Sequence, residues 1–490
     1  MNPPPGSWRF LLLLPLLLLF PSFLHGQEAG GTELRGAWIH SPRGIPGWGW
    51  EATAKALADH GFNALFANLS WTVSSDYPSQ YSVPHPALRQ KDGSMGDWLQ
   101  ECLDACRKHG LQLHVWVVVC NMGEHTPASA KEALRKAGRT QVDADGAPSD
   151  YLAPQLPENQ ELLRLVLTEL VTQYPVDGVH LDYIRYPLGK YDCSPAARRD
   201  FQKALGREVA DWPGDVMPGG PLREPYRQWC RDNVTALVRI AREAVRRARP
   251  GVALSAAVYG YWDGARESVA QDAARWVEEG LVDFLVPMNY SGKPQEAAGW
   301  LEAQLQAVDG RVPVFSGLAN YMCDSPEVLR QEIREARILG AEGFVCFQLK
   351  EEFARKWLPV LKGTETAPPA PPPKAWDAPR PRWEWSGGAW RNPPWYLFWQ
   401  RPGHVPLVCQ VRFPQPLAAR ERKALRPRLL FQGRSAPGKV QAQWLDEATL
   451  RLETLPLEDG LYQWCLEEHS PEGKPPRVWK STVRRVLPAP

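Results

Sequence analysis

The sequence has little of what several common protein classes require. Its 57 Lys and Arg residues nearly balance its 55 Asp and Glu residues, and the net charge of +2 offers no basic surface for nucleic acid. It contains no CxxC or HExxH motif, so we expect no zinc site, and nothing in it indicates another metal or a cofactor. No GxGxxG motif follows a strand-like run, which disfavours nucleotide binding.

Long apolar runs are confined to the first residues of the chain. Arg9 precedes the apolar run Phe10–Phe20, and a small residue, Gly26, follows it. A positive start, a short apolar core and a small-residue cleavage site are typical of a signal peptide, which we assign to residues 1–26. The alternative, a membrane anchor, is disfavoured by the short run and by Pro15 within it. The sequence therefore predicts an exported protein, periplasmic or secreted, with no membrane segment after signal removal.

Residues 34–362 alternate between short apolar runs and amphipathic segments with helical spacing. The apolar runs are Arg35–His40, Ala64–Ser70, Leu111–Asn121, Val176–Tyr186, Val252–Gly260, Asp283–Ser291, Val312–Tyr321 and Glu342–Leu349. Strands that alternate with helices form parallel βαβ units, and eight such units predict a (β/α)8 TIM barrel. The alternative is a doubly wound open sheet, which the missing glycine-rich phosphate loop disfavours.

The composition changes after residue 362. The run TAPPAPPP at Thr366–Pro373 predicts a polyproline-type spacer, taken as residues 363–375. Residues 376–490 are rich in Trp, Arg and Pro, and turn residues separate short strand-like runs there. These runs are Trp395–Trp399, Pro406–Arg412, Lys439–Trp444, Leu450–Leu455 and Leu461–Glu467. The pattern predicts a small all-β, sandwich-like accessory domain.

Catalytic groups of a barrel come from the carboxyl ends of its strands and the loops that follow them. The most informative such window is VDGVHLDYIRYP, residues 176–187. His180 and Asp182 lie two residues apart in a strand, so their side chains share one side. A carboxylate is costly in a core unless it is paired or wet, so we expect Asp182 at the open mouth, held ionised by Arg185. The alternative is a buried Asp–Arg pair that only fixes the loop.

Several segments resemble the glycosyl hydrolase-like family 10 domain of bacterial exported proteins. They are RGAWIH, NALFANLSW with DYPSQY, LQLHVWVVVCN, VDGVHLDYIRYP, SVAQDAARWVEEGLVDFLVPMNYS and GAEGFVCFQL. The resemblance covers about residues 34–362, with the segments in the same order. It implies a (β/α)8 barrel that acts as an O-glycosyl hydrolase, with a bacterial polysaccharide or cell-wall glycan as the substrate.

Cleavage of a glycosidic bond normally uses two carboxyl groups. Asp182 is the expected nucleophile or charge stabiliser. For the second carboxyl the sequence leaves Asp272, Asp263, and Glu351 or Glu352 open, with Asp272 first because the resemblance is best around it. An anion in the first turn of a helix also stabilises that helix, so Asp272 has an equally good structural interpretation.

Polar and aromatic side chains lie in or just beyond the ends of most strands, where the walls of a sugar cleft belong. The expected substrate-binding residues are His40, Asn68, Trp71, His114, Trp116, Asn121, His180, Arg185, Asn289, Tyr290, Asn320 and Gln348. For each single residue, a place in the packed core is an equal alternative. Two other functions stay open: a barrel that binds glycan without cleaving it, and a C-terminal β-domain that contacts proteins.

Overall fold

The computed structural model describes residues 32–367 apart from 125, and then 369–373, 380–386, 407–431, 434–436, 440–454, 460–468, 477–481 and 484–486. The predicted signal peptide, residues 1–26, and the predicted strand Trp395–Trp399 lie outside these residues. Within the described ranges, no helix combines the length and the apolar character needed to cross a bilayer.

Eight parallel strands close into a barrel. They are β1 Leu34–Ile39, β2 Ala64–Trp71, β3 Gln112–Val118, β4 Gly178–Asp182, β5 Ala253–Tyr259, β6 Phe284–Met288, β7 Ser316–Ala319 and β8 Gly343–Phe347. Each strand pairs with the next one along the chain, and β8 pairs with β1, with Leu34 opposite Gly343. The predicted (β/α)8 TIM barrel is therefore confirmed, and each of its eight strands lies within or beside a predicted apolar run.

Helices cover the outside of the barrel. They are α1 Gly49–Asp59, α2 Trp98–Lys108, α3 Pro157–Gln173, α4 Arg223–Ala248, α5 Ala273–Glu278, α6 Pro294–Val308, α7 Pro326–Leu339 and α8 Leu358–Lys362. Several loops carry further elements. Two short strands, Ser74–Ser75 and Val83–Pro84, follow β2, and the segment between β3 and α3 contains the helix Ala128–Lys136 and the strands Thr140–Val142 and Pro148–Leu152. One helix, Pro195–Leu205, follows β4, and another, Trp262–Ser268, follows β5. Short 3-10 helices lie at Pro86–Leu88, Gly214–Val216 and Asn320–Met322, and a π-helix, Phe353–Trp357, precedes α8.

Aromatic and histidine side chains fill the barrel interior. Glycines on neighbouring strands leave space for their rings. Trp38 Nε1 donates to His180 Nε2 at 3.1 Å, in the middle of the barrel. A Cβ atom at Gly317 would lie 2.7 Å from the Trp38 ring, and one at Gly178 would lie 2.2 Å from His114 Nδ1. These positions therefore need glycine for space, because packed interiors hold few voids for a displaced ring.

Gly178→Ala is expected to destabilise the protein by about 1–3 kcal/mol, because the new methyl group overpacks the barrel against His114. Urea denaturation followed by tryptophan fluorescence measures the change. Gly299→Ala is the matched control, since a Cβ atom at that position of α6 meets nothing within 4 Å. Equal stabilities of the two variants would contradict this account of the barrel interior.

The proline-rich segment predicted as a linker, residues 363–375, is hydrogen-bonded to the barrel along its described part. The carbonyl of Thr366 accepts from Arg35 Nη1 at 2.7 Å, and that of Ala370 accepts from Asn63 Nδ2 at 2.9 Å. The carbonyl of Pro373 accepts from Gln112 Nε2, also at 2.9 Å. Proline lacks an N–H group but keeps its carbonyl acceptor, so a proline-rich segment can accept hydrogen bonds from the side-chain donors of neighbouring strands. The segment crosses the amino ends of the first strands, opposite the end where catalysis is expected.

The C-terminal region forms separate antiparallel sheets. One contains Arg382–Ser386, Val408–Arg412, Thr449–Thr454 and Val440–Trp444, and the other contains Arg434–Ser435, Leu425–Phe431, Gly460–Glu468, Arg477–Lys480 and Arg484–Val486. Buried residues of both sheets, among them Trp383 and Trp464, share one apolar cluster. Arg380 pairs with Glu342 at 2.5 Å, just before β8. The described domain therefore meets the barrel at the amino-terminal edge of its sheet, away from the mouth.

Candidate active site

Asp182 is the last residue of β4, and 7% of its side chain is exposed at the barrel mouth. Its Oδ1 atom accepts from the Tyr183 N–H at 2.5 Å and from Arg185 Nη1 at 3.0 Å. Tyr183 has a φ angle of 49°, which is uncommon for a bulky residue. Such conformations persist where the surrounding structure enforces them, and they cluster at functional sites. Two donors therefore fix one oxygen of this carboxylate.

Arg185 lies between two aromatic rings beside Asp182. Its guanidinium carbon is 4.1 Å from the ring centroid of Tyr183 and 5.0 Å from that of Tyr259. Burial lowers the pKa of Arg185, but the Asp182 carboxylate and the nearby tyrosines outweigh it, so the pKa is raised overall. The ion pair expected between Asp182 and Arg185 is present, and cation–π contacts hold its cationic side in place.

Aromatic rings form one wall of the mouth. Tyr290 stacks on Phe347 with centroids 5.6 Å apart, and Tyr321, which is 61% exposed, lies 6.3 Å from Tyr290. Trp38 meets Tyr290 edge-on below them, at 6.4 Å. Burial, and after it the Asp182 carboxylate, raises the pKa of Tyr290. The predicted residue Tyr290 therefore lies close to Asp182, in a wall that continues to an exposed tyrosine.

Three more of the predicted residues lie beside this wall, where the Trp116 ring meets Phe347 edge-on with centroids 6.2 Å apart. The His40 ring lies edge-on to Trp116 with centroids 5.4 Å apart, and 6.5 Å from the centroid of Trp71. Trp71 packs against the loop after β3, where a Cβ atom at Gly123 would lie 2.3 Å from its Nε1 atom. The structure therefore brings these rings together, although Trp71 and Trp116 are both nearly buried.

The long segment between β3 and α3 adds groups that sequence reasoning missed. Asn121 forms a β-bridge with Tyr151, whose ring lies 6.3 Å from that of Tyr183. Glu124 is exposed in the same segment. Burial raises the pKa of Tyr183, and the charges of both Asp182 and Glu124 raise it further. The only sequence signal for Tyr151 and Glu124 was the unusual length of this loop.

Two predicted substrate-binding histidines lie inside the barrel and not in the cleft, which corrects their assignment. Neither His114 nor His180 has exposed surface. His180 Nε2 accepts from Trp38, so its Nδ1–H donates to Ser255 Oγ at 2.8 Å. Burial lowers the pKa of His114 to about 3 and that of His180 well below its usual range. Both rings are therefore neutral packing groups below Asp182: His180 precedes it by two residues in β4, and His114 lies deeper, in register with Gly178.

Asn289 also lies outside the cleft. It has no exposed surface, and its amide exchanges hydrogen bonds with Gln304 of α6 at 2.6 and 3.2 Å. A further bond to Ser316 Oγ at 3.1 Å holds it between the sheet and the helix. Its assignment as a sugar ligand is corrected accordingly, because its donors and its acceptor serve the packing of α6 against the barrel.

The remaining predicted amides lie near strand ends with different exposures. Asn68 is fully buried and donates to the carbonyl of Trp116 at 3.2 Å. Asn320 is nearly buried and donates to the carbonyl of Gln348 at 3.4 Å. Gln348 is half-buried directly after β8. Of these three, Gln348 retains the most surface for a ligand.

The two aspartates proposed as partners of Asp182 lie at the starts of two short helices after β5. Asp272 caps α5, because its Oδ1 atom accepts from the Arg275 N–H at 3.5 Å, and it pairs with Arg266 at 3.5 Å. Asp263 is exposed in the first turn of Trp262–Ser268. Within the described residues, no hydrogen bond or ion pair connects Asp272 or Asp263 to Asp182.

Glu351 and Glu352 are exposed on the helix that follows β8. They pair with Arg355 and Lys356, at 2.8 and 3.0 Å, one helical turn further on. Such exposed pairs contribute little to stability. Across the described residues, no three His, Cys, Asp or Glu side chains come close enough together to hold a metal ion.

Comparison with known proteins relates this barrel to glycoside hydrolases. The family model of glycosyl hydrolase-like 10 matches residues 33–333, so the chain belongs to that family, as the sequence resemblance predicted. It is 24% identical to glycosyl hydrolase YngK of Bacillus subtilis (strain 168) over 397 residues, 70% of this chain and 73% of that protein.

Two further similarities are more limited. Glycosyl hydrolase DigH of Escherichia coli (strain K12) is 24% identical over 304 residues, 56% of this chain and 65% of that protein, so the chain spans just under two thirds of this relative. The catalytic domain of a β-amylase from Paenibacillus polymyxa superposes with a TM-score of 0.53 at 13% identity, over 70% of this chain and 100% of that one. At this identity the likeness concerns the fold alone.

Proposed function

We propose that this protein is an exported glycoside hydrolase that cleaves a polysaccharide or cell-wall glycan at the mouth of its barrel. The observation that carries the proposal is the geometry of Asp182 at the end of β4. Two donors orient its Oδ1 atom, and no hydrogen bond from the described residues reaches its Oδ2 atom. Membership of the glycosyl hydrolase-like 10 family supports the reaction class.

In this mechanism the Oδ2 atom of Asp182 faces the anomeric carbon of the bound sugar. The carboxylate either attacks that carbon or stabilises the oxocarbenium-like transition state by its charge. The Tyr183 N–H and the Arg185 guanidinium hold the carboxylate in one orientation, so little reorganisation is needed during the reaction. The exposed ring of Tyr321 and the half-buried ring of Tyr290 offer apolar faces to the sugar.

Glu124 is our candidate for the second carboxyl group. It is exposed, as a group that exchanges protons with water should be, and its charge acts on the same Tyr183 phenol as that of Asp182. Asp272 is less suited, because it caps α5 and pairs with Arg266. This candidate replaces Asp272 as our first choice for the general acid.

Glu124→Gln is expected to slow cleavage of a natural glycan by about 10²–10⁴-fold, because leaving-group protonation is lost. Aryl glycosides with acidic leaving groups need little protonation, so their cleavage should slow much less. The two rates are compared for the same variant, with Glu132→Gln as the control, an exposed glutamate on the helix Ala128–Lys136 of the same segment. Wild-type rates on both substrates would remove Glu124 from the mechanism.

Product analysis tests the proposed function itself. The full chain is incubated with a panel of bacterial polysaccharides and peptidoglycan, and new reducing ends are quantified and identified by mass spectrometry. We expect chain shortening on at least one glycan. Retention on a glycan without new reducing ends would instead indicate a barrel that only binds.

Export rests on the signal-like residues 1–26 and is tested separately. Expression of the full chain in a bacterial host should give a mature protein that begins after Gly26, as read by N-terminal sequencing of the exported fraction. A protein that retains Met1 in the cytoplasm would refute the export proposal and leave the hydrolase proposal intact.

A further inference from the structure

A pocket lies on the outside of the barrel, and Asp182 is not among the residues that line it. Its volume is about 410 Å³. It is formed by Gln155 just before α3, by Glu158 in the first turn of α3, by Arg199 and Lys203 of the helix Pro195–Leu205, and by Trp229 of α4. The volume falls in the range of small-ligand sites, which is about 300–1,000 Å³.

The charges around this pocket cancel. Glu158 and Asp200 supply two carboxylates, and Arg199 and Lys203 supply two cations. Arg199 Nε also donates to Asp200 Oδ1 at 3.1 Å, which partly neutralises both. The balance disfavours a phosphorylated or nucleic-acid ligand, which would require an excess of cations. It favours a neutral ligand with many hydroxyl groups.

The pocket also has an aromatic side chain and an amide in its lining. Trp229 is half-buried, and its ring lies 5.3 Å from Tyr226 and 5.8 Å from Phe201 on its inner side. Gln155 Nε2 donates to Asp192 Oδ2 at 2.9 Å, while its buried Oε1 atom has no hydrogen-bond partner in the described part of the chain.

From these features we infer that the pocket is a secondary carbohydrate-binding site. Trp229 contacts the apolar face of a sugar ring, and the carboxylates, cations and amide bind its hydroxyl groups. The inference rests on the proposed glycan substrate. Helix α3 begins where the segment that carries Asn121 and Tyr151 ends, so its first turn, which lines the pocket, lies toward the same end of the barrel as the mouth. One polymer bound at both places would be held at the mouth at high effective concentration.

Trp229→Ala is expected to weaken binding of a soluble polymer by about tenfold or more, because the second contact is lost. Cleavage of a short oligosaccharide that reaches only the mouth should be unchanged. The probes are soluble glucan, galactan and N-acetylglucosamine polymers, measured by affinity electrophoresis, together with short oligomers of any polymer that binds. Trp212→Ala is the matched control, because its ring lies 5.7 Å from the same Tyr226 but does not line the pocket.

The double variant Lys203→Ala and Glu158→Gln tests the pocket without removing a packed side chain, since both side chains are exposed. This double variant should weaken polymer binding in the same direction as Trp229→Ala. Polymer binding equal to that of the wild type in both pocket variants would overturn the inference while leaving the hydrolase proposal untouched. Binding that is lost in the pocket variants, with no polymer cleaved by the wild type, would uphold the site and refute hydrolysis.

Discussion

Asp182→Asn should lower the rate of glycan hydrolysis by about 10³-fold or more while leaving the fold intact. The amide has the same shape, and its oxygen can still accept from Tyr183 and Arg185. It lacks the negative charge that the oxocarbenium-like transition state requires, and it is a poor nucleophile. The measurement is kcat on a glycan that the wild type cleaves, with the melting temperature as the check on folding.

Asp177→Asn provides the matched control for this experiment. Asp177 precedes β4 at the opposite end of the barrel, and its Oδ2 atom accepts from the Leu113 N–H at 2.9 Å. That variant should lose stability and keep its kcat, because its carboxylate serves the sheet and not the mouth. Unchanged turnover in Asp182→Asn would contradict the proposed role of Asp182. A loss of turnover of the same size in both variants would point to a general structural effect.

The architecture could be predicted because the barrel imposes simple sequence rules. Parallel strands covered on both faces are continuously apolar, so all eight could be recognised without knowledge of their pairing. The sequence also carries signals for the bounds of α6 and α7, because Pro294 and Pro326 mark their starts and residues in left-handed conformations end them. By contrast, α5 begins only at Ala273, after Ala270 adopts a φ angle of 59° for which the sequence gives no signal.

The site could be predicted less well, because strand periodicity gives the side of a residue and not its depth. His180 and Asp182 face the same side, yet His180 lies in the packed layer with Trp38 and only Asp182 reaches the mouth. Depth depends on the stagger between neighbouring strands, which is a property of the closed barrel. The same limit applies to Asp272, since capping and catalysis place the same residue type at a helix start.

Asp76 leads to the second prediction of large effect, in the segment after β2. Its side chain is fully buried, and neither carboxyl oxygen has a hydrogen-bond partner within the described residues. Burial raises its pKa to about 8 from an ordinary value of 3.8. The folded protein therefore binds a proton here that the unfolded chain releases above its ordinary pKa. The free energy of unfolding should consequently fall as the pH rises from about 4 to about 8.

Asp76→Asn should remove this dependence and raise the free energy of unfolding at pH 7 by about 4 kcal/mol, because the folded state no longer needs to hold a proton. Urea denaturation at pH 5 and pH 7.5 measures the difference, which should be small at the lower pH and large at the higher one. Glu169→Gln is the control: this buried carboxylate accepts from Ser79 Oγ at 2.5 Å and from the Gln80 N–H at 2.8 Å, so its loss should destabilise the protein at both pH values. Parallel pH profiles for the wild type and Asp76→Asn would show that the Asp76 carboxyl is solvated, because only a desolvated carboxyl couples folding to proton uptake in this range.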